Sequence, residues 1–153
     1  MNKTNQYSRI YDQLNTLIYN IDDIDARRAT LIALLYHKIK AFSWVGYYIY
    51  NNYELIVNQY QGPLACIILK KNTGVCWKCY NEKQVIIVPD VEKFEGHIAC
   101  DPNTKSEITI PIYNRDQQII GVFDADSKMP DAFDMTDAQG LTKLINLVEK
   151  TES

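Results

Sequence analysis

The stretch Ser43-Trp-Val-Gly-Tyr-Tyr-Ile-Tyr50, Asn51-Asn52, Tyr53-Glu-Leu-Ile-Val-Asn58 decides the fold. Two runs rich in aromatic and β-branched residues flank a pair of asparagines that tolerate a tight turn, so the segment reads as a β-hairpin. Upstream the period is different. Ile10, Tyr11, Leu14, Leu17 and Ile18 recur on one helical face after Tyr7. Ala26, Ala29, Leu31, Ile32, Leu34, Leu35 and Ile39 make a second, denser helix that Asp22-Asp23 can cap.

Downstream, Gly62-Pro63 breaks the chain and Gly74 precedes a short helix through Trp77 and Tyr80. Val85–Val88 reads as a buried strand, and residues 89–104 as an irregular segment carrying Phe94, Gly96, His97 and Cys100. Glu107–Tyr113 and Gln118–Phe123 read as strands joined through Asn114-Arg-Asp-Gln. A last helix has Leu141, Leu144, Ile145 and Val148 as its stripe and Thr136 with Gln139 as its capping box. Helices, then strands, then a helix give an α+β class, with a central antiparallel or mixed sheet and the terminal helices packed on it. A doubly wound parallel fold is disfavoured.

The chain has 153 residues and a net charge of −3, from 16 Lys+Arg against 19 Asp+Glu. That length fits a single domain over 1–153, able to fold without metal or disulfides. The mild acidity and the lack of a basic run disfavour binding to nucleic acid or an anionic membrane. The start Met1-Asn-Lys-Thr-Asn-Gln lacks the apolar core of a signal peptide, and no apolar run is long enough to span a bilayer. The expected location is cytoplasmic, where cysteines with ordered spacing are more often catalytic, redox-sensing or metal-binding than structural staples.

Four cysteines stand at 66, 76, 79 and 100. Cys76-Trp-Lys-Cys79 with His97-Ile-Ala-Cys100 is a C-x2-C … H-x2-C array of the kind that holds structural zinc. Cys76 and Cys79 alone could form a dithiol redox pair, although two helices and a hairpin precede them where a thioredoxin-like domain would begin with a βαβ pattern. In a third reading Cys100 is a nucleophile with another cysteine as its resolving partner. Against all three, a free cysteine is a common core residue, and Cys66 within Leu64-Ala-Cys-Ile-Ile-Leu69 would pass as one.

Phe94-Glu-Gly-His-Ile-Ala-Cys-Asp101, followed by Ser106-Glu-Ile108, closely resembles the signature of the free methionine-(R)-sulfoxide reductases, a group built on the GAF fold. Trp44-Val-Gly-Tyr-Tyr48, Gln61-Gly-Pro-Leu-Ala-Cys66, Gly74-Val-Cys76 and Gly121-Val-Phe-Asp-Ala-Asp-Ser127 resemble further motifs of that group in the same order. The resemblance implies a GAF-like fold, with residues from about 40 to 127 carrying the site. It implies that Cys100 is the catalytic nucleophile, Cys66 the resolving cysteine, and Cys76 a further thiol able to share in the relay. Glu107, Asp124 and Asp126 match acidic residues that hold the substrate, and Trp44 and Tyr48 match aromatic walls of its pocket.

The implied substrate is free methionine sulfoxide, reduced through a cysteine sulfenic acid and an intramolecular disulfide that thioredoxin reopens. The reaction would need no metal and no organic cofactor. A homodimer is also implied.

The chemistry agrees with those residue types. A thiolate attacks sulfoxide sulfur, the oxygen leaves once protonated, and a second thiol condenses with the sulfenic acid. Among three crowded carboxyls, one can stay protonated as the donor, and Glu107 or Asp124 is expected in that role. Without the family match, Glu107 would be an exposed strand start, Trp44 and Tyr48 core residues, and Asp124 and Asp126 a solvated strand end, although Asp124 follows Gly-Val-Phe in a buried-looking strand where a carboxylate without a role is costly. His97 is expected to order its loop. Lys70, Lys71 and Lys78 read as a solvated face. Cys79 is a departure from the family pattern. It keeps open an alternative from another class, a non-catalytic GAF-type sensor or a binding module stabilised by zinc on Cys76, Cys79, His97 and Cys100.

Overall fold

In a computed structural model, which describes residues 2–97 and 100–151, the expected helix–strand–helix order holds. Helix α1 (Lys3–Ile18) is capped by Asn2, whose side chain accepts from the Asn5 N–H, and α2 (Ile24–Lys38) is capped by Asp23 through the Ala26 N–H. Strands β1 (Trp44–Asn51) and β2 (Glu54–Gln61) form the hairpin, with Asn52 and Tyr53 in the left-handed region at its turn. Helix α3 (Gly74–Glu82) leads to β3 (Ile86–Val88) and a 3-10 turn at Val91–Lys93. Strands β4 (Ser106–Tyr113) and β5 (Ile119–Ser127) then precede α4 (Met135–Glu149). No helix among the described residues is long and apolar enough to cross a membrane.

The five strands form one sheet in the order β2-β1-β5-β4-β3, with every neighbouring pair antiparallel. Alternation along each strand divides the side chains between two faces. Val45, Tyr47, Ile108, Ile110, Ile112, Phe123 and Ala125 point to one side and pack with Ile10, Leu14, Leu31, Leu35, Leu141 and Leu144 of the three long helices. Burying an aliphatic side chain of this kind contributes about 2 kcal/mol, so this face carries most of the apolar stabilisation. Arg27 reinforces it: its guanidinium donates to the carbonyls of Ile18, Ile21, Leu147 and Val148, joining the ends of α1 and α4.

Most expected strand boundaries move by one residue, and two strand ends move further. Strand β5 does not stop at Phe123 but continues through Asp124, Ala125 and Asp126 to Ser127, because each of these residues pairs with β4. Strand β2 likewise starts one residue late and runs on to Gln61, paired with Val45. The capping box of α4 is Asp134 with Asp137, not Thr136 with Gln139. Asp134 accepts from the Thr136 and Asp137 N–H groups, Asp137 accepts from the Asp134 N–H, and a carboxylate is a stronger cap than the hydroxyl two residues later.

The second sheet face holds Trp44, Gly46 and Tyr48 of β1, under the loop that follows β2 and under α3. Gly46 is the residue that lets the aromatics close up. A Cβ there would meet the Cβ of Tyr60, lie 2.6 Å from the Trp44 ring, and sit 3.0 Å from the Gln59 carbonyl oxygen. Trp44 uses that space to stack on Tyr60 and Tyr48 with ring centroids 5.4 and 5.9 Å apart. Gly46→Ala is therefore expected to displace Trp44 and to lower stability by about 1–3 kcal/mol in urea unfolding, the usual cost of overpacking. An unchanged midpoint would show that the stack is loose.

Candidate active site

Three carboxyls meet on the sheet face left free by the long helices. Glu107 of β4 lies opposite Asp126 of β5, and Asp124, two residues earlier and so on the same face, lies opposite Thr109 on one side and Gly46 on the other. Strand alternation and register bring the three together from two chain segments. They are not the exposed strand ends that their positions in the sequence alone suggest: Glu107 is 6% exposed and Asp124 4%. One oxygen each of Asp124 and Asp126 is buried with no hydrogen-bond partner. Such oxygens call for a proton or a cationic ligand.

Burial, followed by the charges of Asp126 and Glu107, pushes the Asp124 carboxyl well above the usual carboxylate range. Burial and then the Glu107 charge do the same for Asp126. Both aspartates therefore hold their protons to higher pH than ordinary aspartates do.

Around this floor stand Trp44, Tyr48, Leu69, the first turn of α3, His97, Cys100, Asp101 and Thr104, enclosing about 580 Å³ that opens to solvent. The space is narrow. The Tyr48 hydroxyl donates to the Cys66 carbonyl at 2.9 Å and fixes the loop carrying that cysteine. His97 Nε2 stands 3.6 Å from Glu107 Oε1, so His97 faces the carboxyl cluster. Ile98 and Ala99, part of the motif around Cys100, lie outside the described residues.

The four cysteines separate by environment. Cys66 and Cys100 are joined in a disulfide, their Cα atoms 5.7 Å apart and 34 residues apart in sequence. Cys100 lines the pocket, and both are partly exposed. Cys76 and Cys79, one turn apart on α3, are free and buried. Burial, then the charges of Asp124 and Glu107, holds the Cys76 thiol far above its ordinary value. Burial pushes the Cys79 thiol up to about 12. Reactive C-x-x-C pairs have a lowered pKa and access to solvent; this pair has neither.

The zinc array is not assembled here, because the Cys100 sulfur is bonded to Cys66 and the other ligands are not gathered around it. Among the described residues, the group whose ligand atoms do come together is Cys76, Glu107 and Asp124, within 4.8 Å of one another. It lies at the bottom of the same pocket.

All the residues expected at the site except Cys66 line one pocket, and Cys66 is bonded to its rim. Sequence reasoning overlooked Thr73, Gly74 and Val75 at the start of α3, and Asp101, which presents a buried, unpartnered oxygen. Thr73 makes no side-chain cap, leaving the first N–H groups of α3 beside the pocket. The Gly62 and Gly74 punctuation bracketing Cys66 was the available signal.

A five-stranded antiparallel sheet with helices on one face and a ligand-sized pocket on the other is the architecture of a GAF domain, and the GAF domain family matches residues 23–151. The chain belongs to that family, in the branch that contains proteins named free methionine-R-sulfoxide reductase. The one from Escherichia coli is 37% identical over 150 residues, 98% of this chain and 90% of its own. The GAF domain-containing protein A of Dictyostelium discoideum is 38% identical over 96% of this chain and 92% of its own. The crystallographic free methionine-R-sulfoxide reductase of Neisseria meningitidis, solved in complex with its substrate, superimposes with a TM-score of 0.93. It is 34% identical, over 98% of this chain and 90% of that one.

A carboxyl whose pKa is raised by folding binds a proton that the unfolded chain has released, so stability falls as pH rises above the ordinary carboxylate range. Asp124→Asn removes that proton uptake. Its Tm is expected to exceed the wild-type value at pH 7.5, and the gain should shrink as pH falls through 4 toward about 3, below the ordinary aspartate pKa, where Asp124 is mostly protonated in both states. A Tm lowered equally at both pH values in thermal melts would contradict the assignment.

Proposed function

We propose that the protein reduces free L-methionine (R)-S-oxide to L-methionine, with Cys100 as nucleophile and a protein dithiol such as thioredoxin as the final reductant. The observation that carries the reading is the Cys66–Cys100 disulfide at the rim of a pocket floored by three buried carboxyls. The names of the Escherichia coli and Neisseria meningitidis relatives support the same activity.

The pocket suits a small zwitterion. Glu107 and Asp126 hold the ammonium group, which supplies the cation that the unpartnered Asp126 oxygen lacks. The uncapped N–H groups at the start of α3 receive the carboxylate. Requiring both charges in one narrow space excludes a methionine inside a polypeptide, whose amine and carboxyl are peptide bonds. Trp44 and Tyr48 offer an apolar face to the S-methyl group, and a methyl on one side fixes the sulfoxide oxygen on the other, which selects one configuration.

In the reduced protein, the Cys100 thiolate attacks the sulfoxide sulfur. Asp124, held protonated by burial and its acidic neighbours, donates to the departing oxygen. Methionine leaves and Cys100 becomes a sulfenic acid. The Cys66 thiol then displaces water and closes the disulfide. Cys76 is a neutral thiol at neutral pH, so it is a slow substitute for Cys66 in this relay. No metal or organic cofactor enters the cycle.

With dithiothreitol as reductant, the protein is expected to reduce the free R form at least 100-fold faster than the free S form or a peptide-bound sulfoxide. Cys100→Ser should abolish turnover, and Asp124→Asn should lower kcat by about 10²-fold or more, the usual contribution of a positioned acid. Because the donor must be protonated, wild-type kcat should fall as pH rises through the Asp124 pKa. Wild-type turnover by Cys100→Ser, followed by methionine release, would overturn the mechanism.

A further inference from the structure

The two sulfurs of the disulfide have different surroundings. Cys100 lines the substrate pocket and Cys66 does not; it lies in the loop after β2, beside apolar side chains that point into solvent. Leu64 is 87% exposed, Ile67 68% and Ile68 51%. Leu64 stands at the mouth of the substrate pocket, and Ile67 and Ile68 lie beyond it as adjacent large aliphatics open to solvent, the kind of surface that marks a protein contact.

The loop is also held in place. The Ile67 carbonyl accepts from the Val57 N–H at 2.8 Å, the Leu69 N–H donates to the Leu55 carbonyl at 3.1 Å, and Ile68 bridges Ile56. These bonds lay the loop along the outer edge of β2, itself the edge strand of the sheet. Tyr48 fixes the Cys66 carbonyl from the other side. The patch is therefore pre-organised, and a partner meets little ordering cost on binding it. Exposed Lys70 and Lys71 give it a positive rim.

Resting on the activity proposed above, we infer that Ile67 and Ile68 are the docking surface of the protein dithiol reductant, and that its attacking thiolate strikes Cys66 rather than Cys100. The partner carries an apolar contact face around its own dithiol and acidic groups opposite Lys70 and Lys71. Its thiolate bonds to Cys66 Sγ, the Cys66–Cys100 bond breaks, and Cys100 leaves with the electron pair into the pocket, where it takes a proton. The partner's second thiol then loses its proton and attacks the mixed disulfide, and Cys66 departs as a thiolate that takes up a proton in turn. Two electrons and two protons pass from the dithiol to the protein's disulfide, and the partner is oxidised to its own disulfide. Attack on Cys66 delivers the nucleophile directly to the substrate side, whereas attack on Cys100 would leave a bulky mixed disulfide in the pocket.

The test compares reductants on the full chain. Ile67→Ser/Ile68→Ser, with both side chains solvent-facing in the parent, should keep kcat within twofold when dithiothreitol is the reductant. Its KM for thioredoxin, with NADPH and thioredoxin reductase, should rise about tenfold. An unchanged KM for thioredoxin would overturn the docking surface. In parallel, a thioredoxin whose second cysteine is serine is incubated with the oxidised protein. The trapped mixed disulfide should map to Cys66 by peptide mass spectrometry; capture at Cys100 would overturn the direction of attack. Because the capture uses no methionine sulfoxide, trapping at Cys66 in a protein that fails to turn over the sulfoxide would uphold this inference and overturn the activity.

Discussion

Three carboxyls are buried side by side on one face of an antiparallel sheet, and most of the structure serves to tolerate that arrangement. Like charges so close in a low-dielectric site resist ionisation, and an unpaired buried carboxylate costs several kcal/mol. The far face of the sheet offsets this. Its apolar core with α1, α2 and α4 fixes β4 and β5 in a single register, since a slip by one residue would turn Ile108, Phe123 and Ala125 toward the pocket and the acids toward the helices. The acids cannot separate without breaking that core, so the repulsion appears as retained protons and as affinity for a cation.

The same division of labour orders the thiols. Cys79 packs with Trp77, Leu55 and Val122 as a small core residue, which accounts for the cysteine that departs from the family pattern. Cys76 lies against Asp124 and Glu107, and negative neighbours together with burial keep it protonated. Cys66 and Cys100, on two separate loops above the pocket, are the pair joined in a disulfide, and the proposed redox chemistry rests on them. One disulfide thus links the segment that covers the acids to the loop beside β2, and of its two cysteines only Cys100 lines the pocket.

The stripe of α4 was readable from periodicity alone, since Leu141, Leu144, Ile145 and Val148 are all buried; that of α1 was readable in part, since Tyr7, Ile10, Leu14 and Ile18 are buried while Tyr11 and Leu17, at the edges of the expected face, stay exposed. The hairpin was readable because Asn51-Asn52 separates two β-branched runs. The end of β5 was not, since Asp124 and Asp126 look like a polar strand terminus until their pairing with Thr109 and Glu107 is known. Register is a property of two segments together, and no local pattern in either one states it. The cap of α4 was misplaced by two residues for a smaller reason, the presence of two acceptable caps in Asp-Met-Thr. The identities of the site residues came from family resemblance, and their electrostatic roles became visible only when β4, β5 and α3 were set against one another.

The central claim is that the sheet holds the Asp124 carboxyl well above the usual carboxylate range. Carbon NMR of protein labelled at the aspartate carboxyl, with Asp124→Asn to assign the signal, measures this directly. The Asp124 resonance should keep the shift of a protonated acid past the usual carboxylate range and titrate only above it. A resonance titrating near pH 4, as an ordinary aspartate does, would contradict the account.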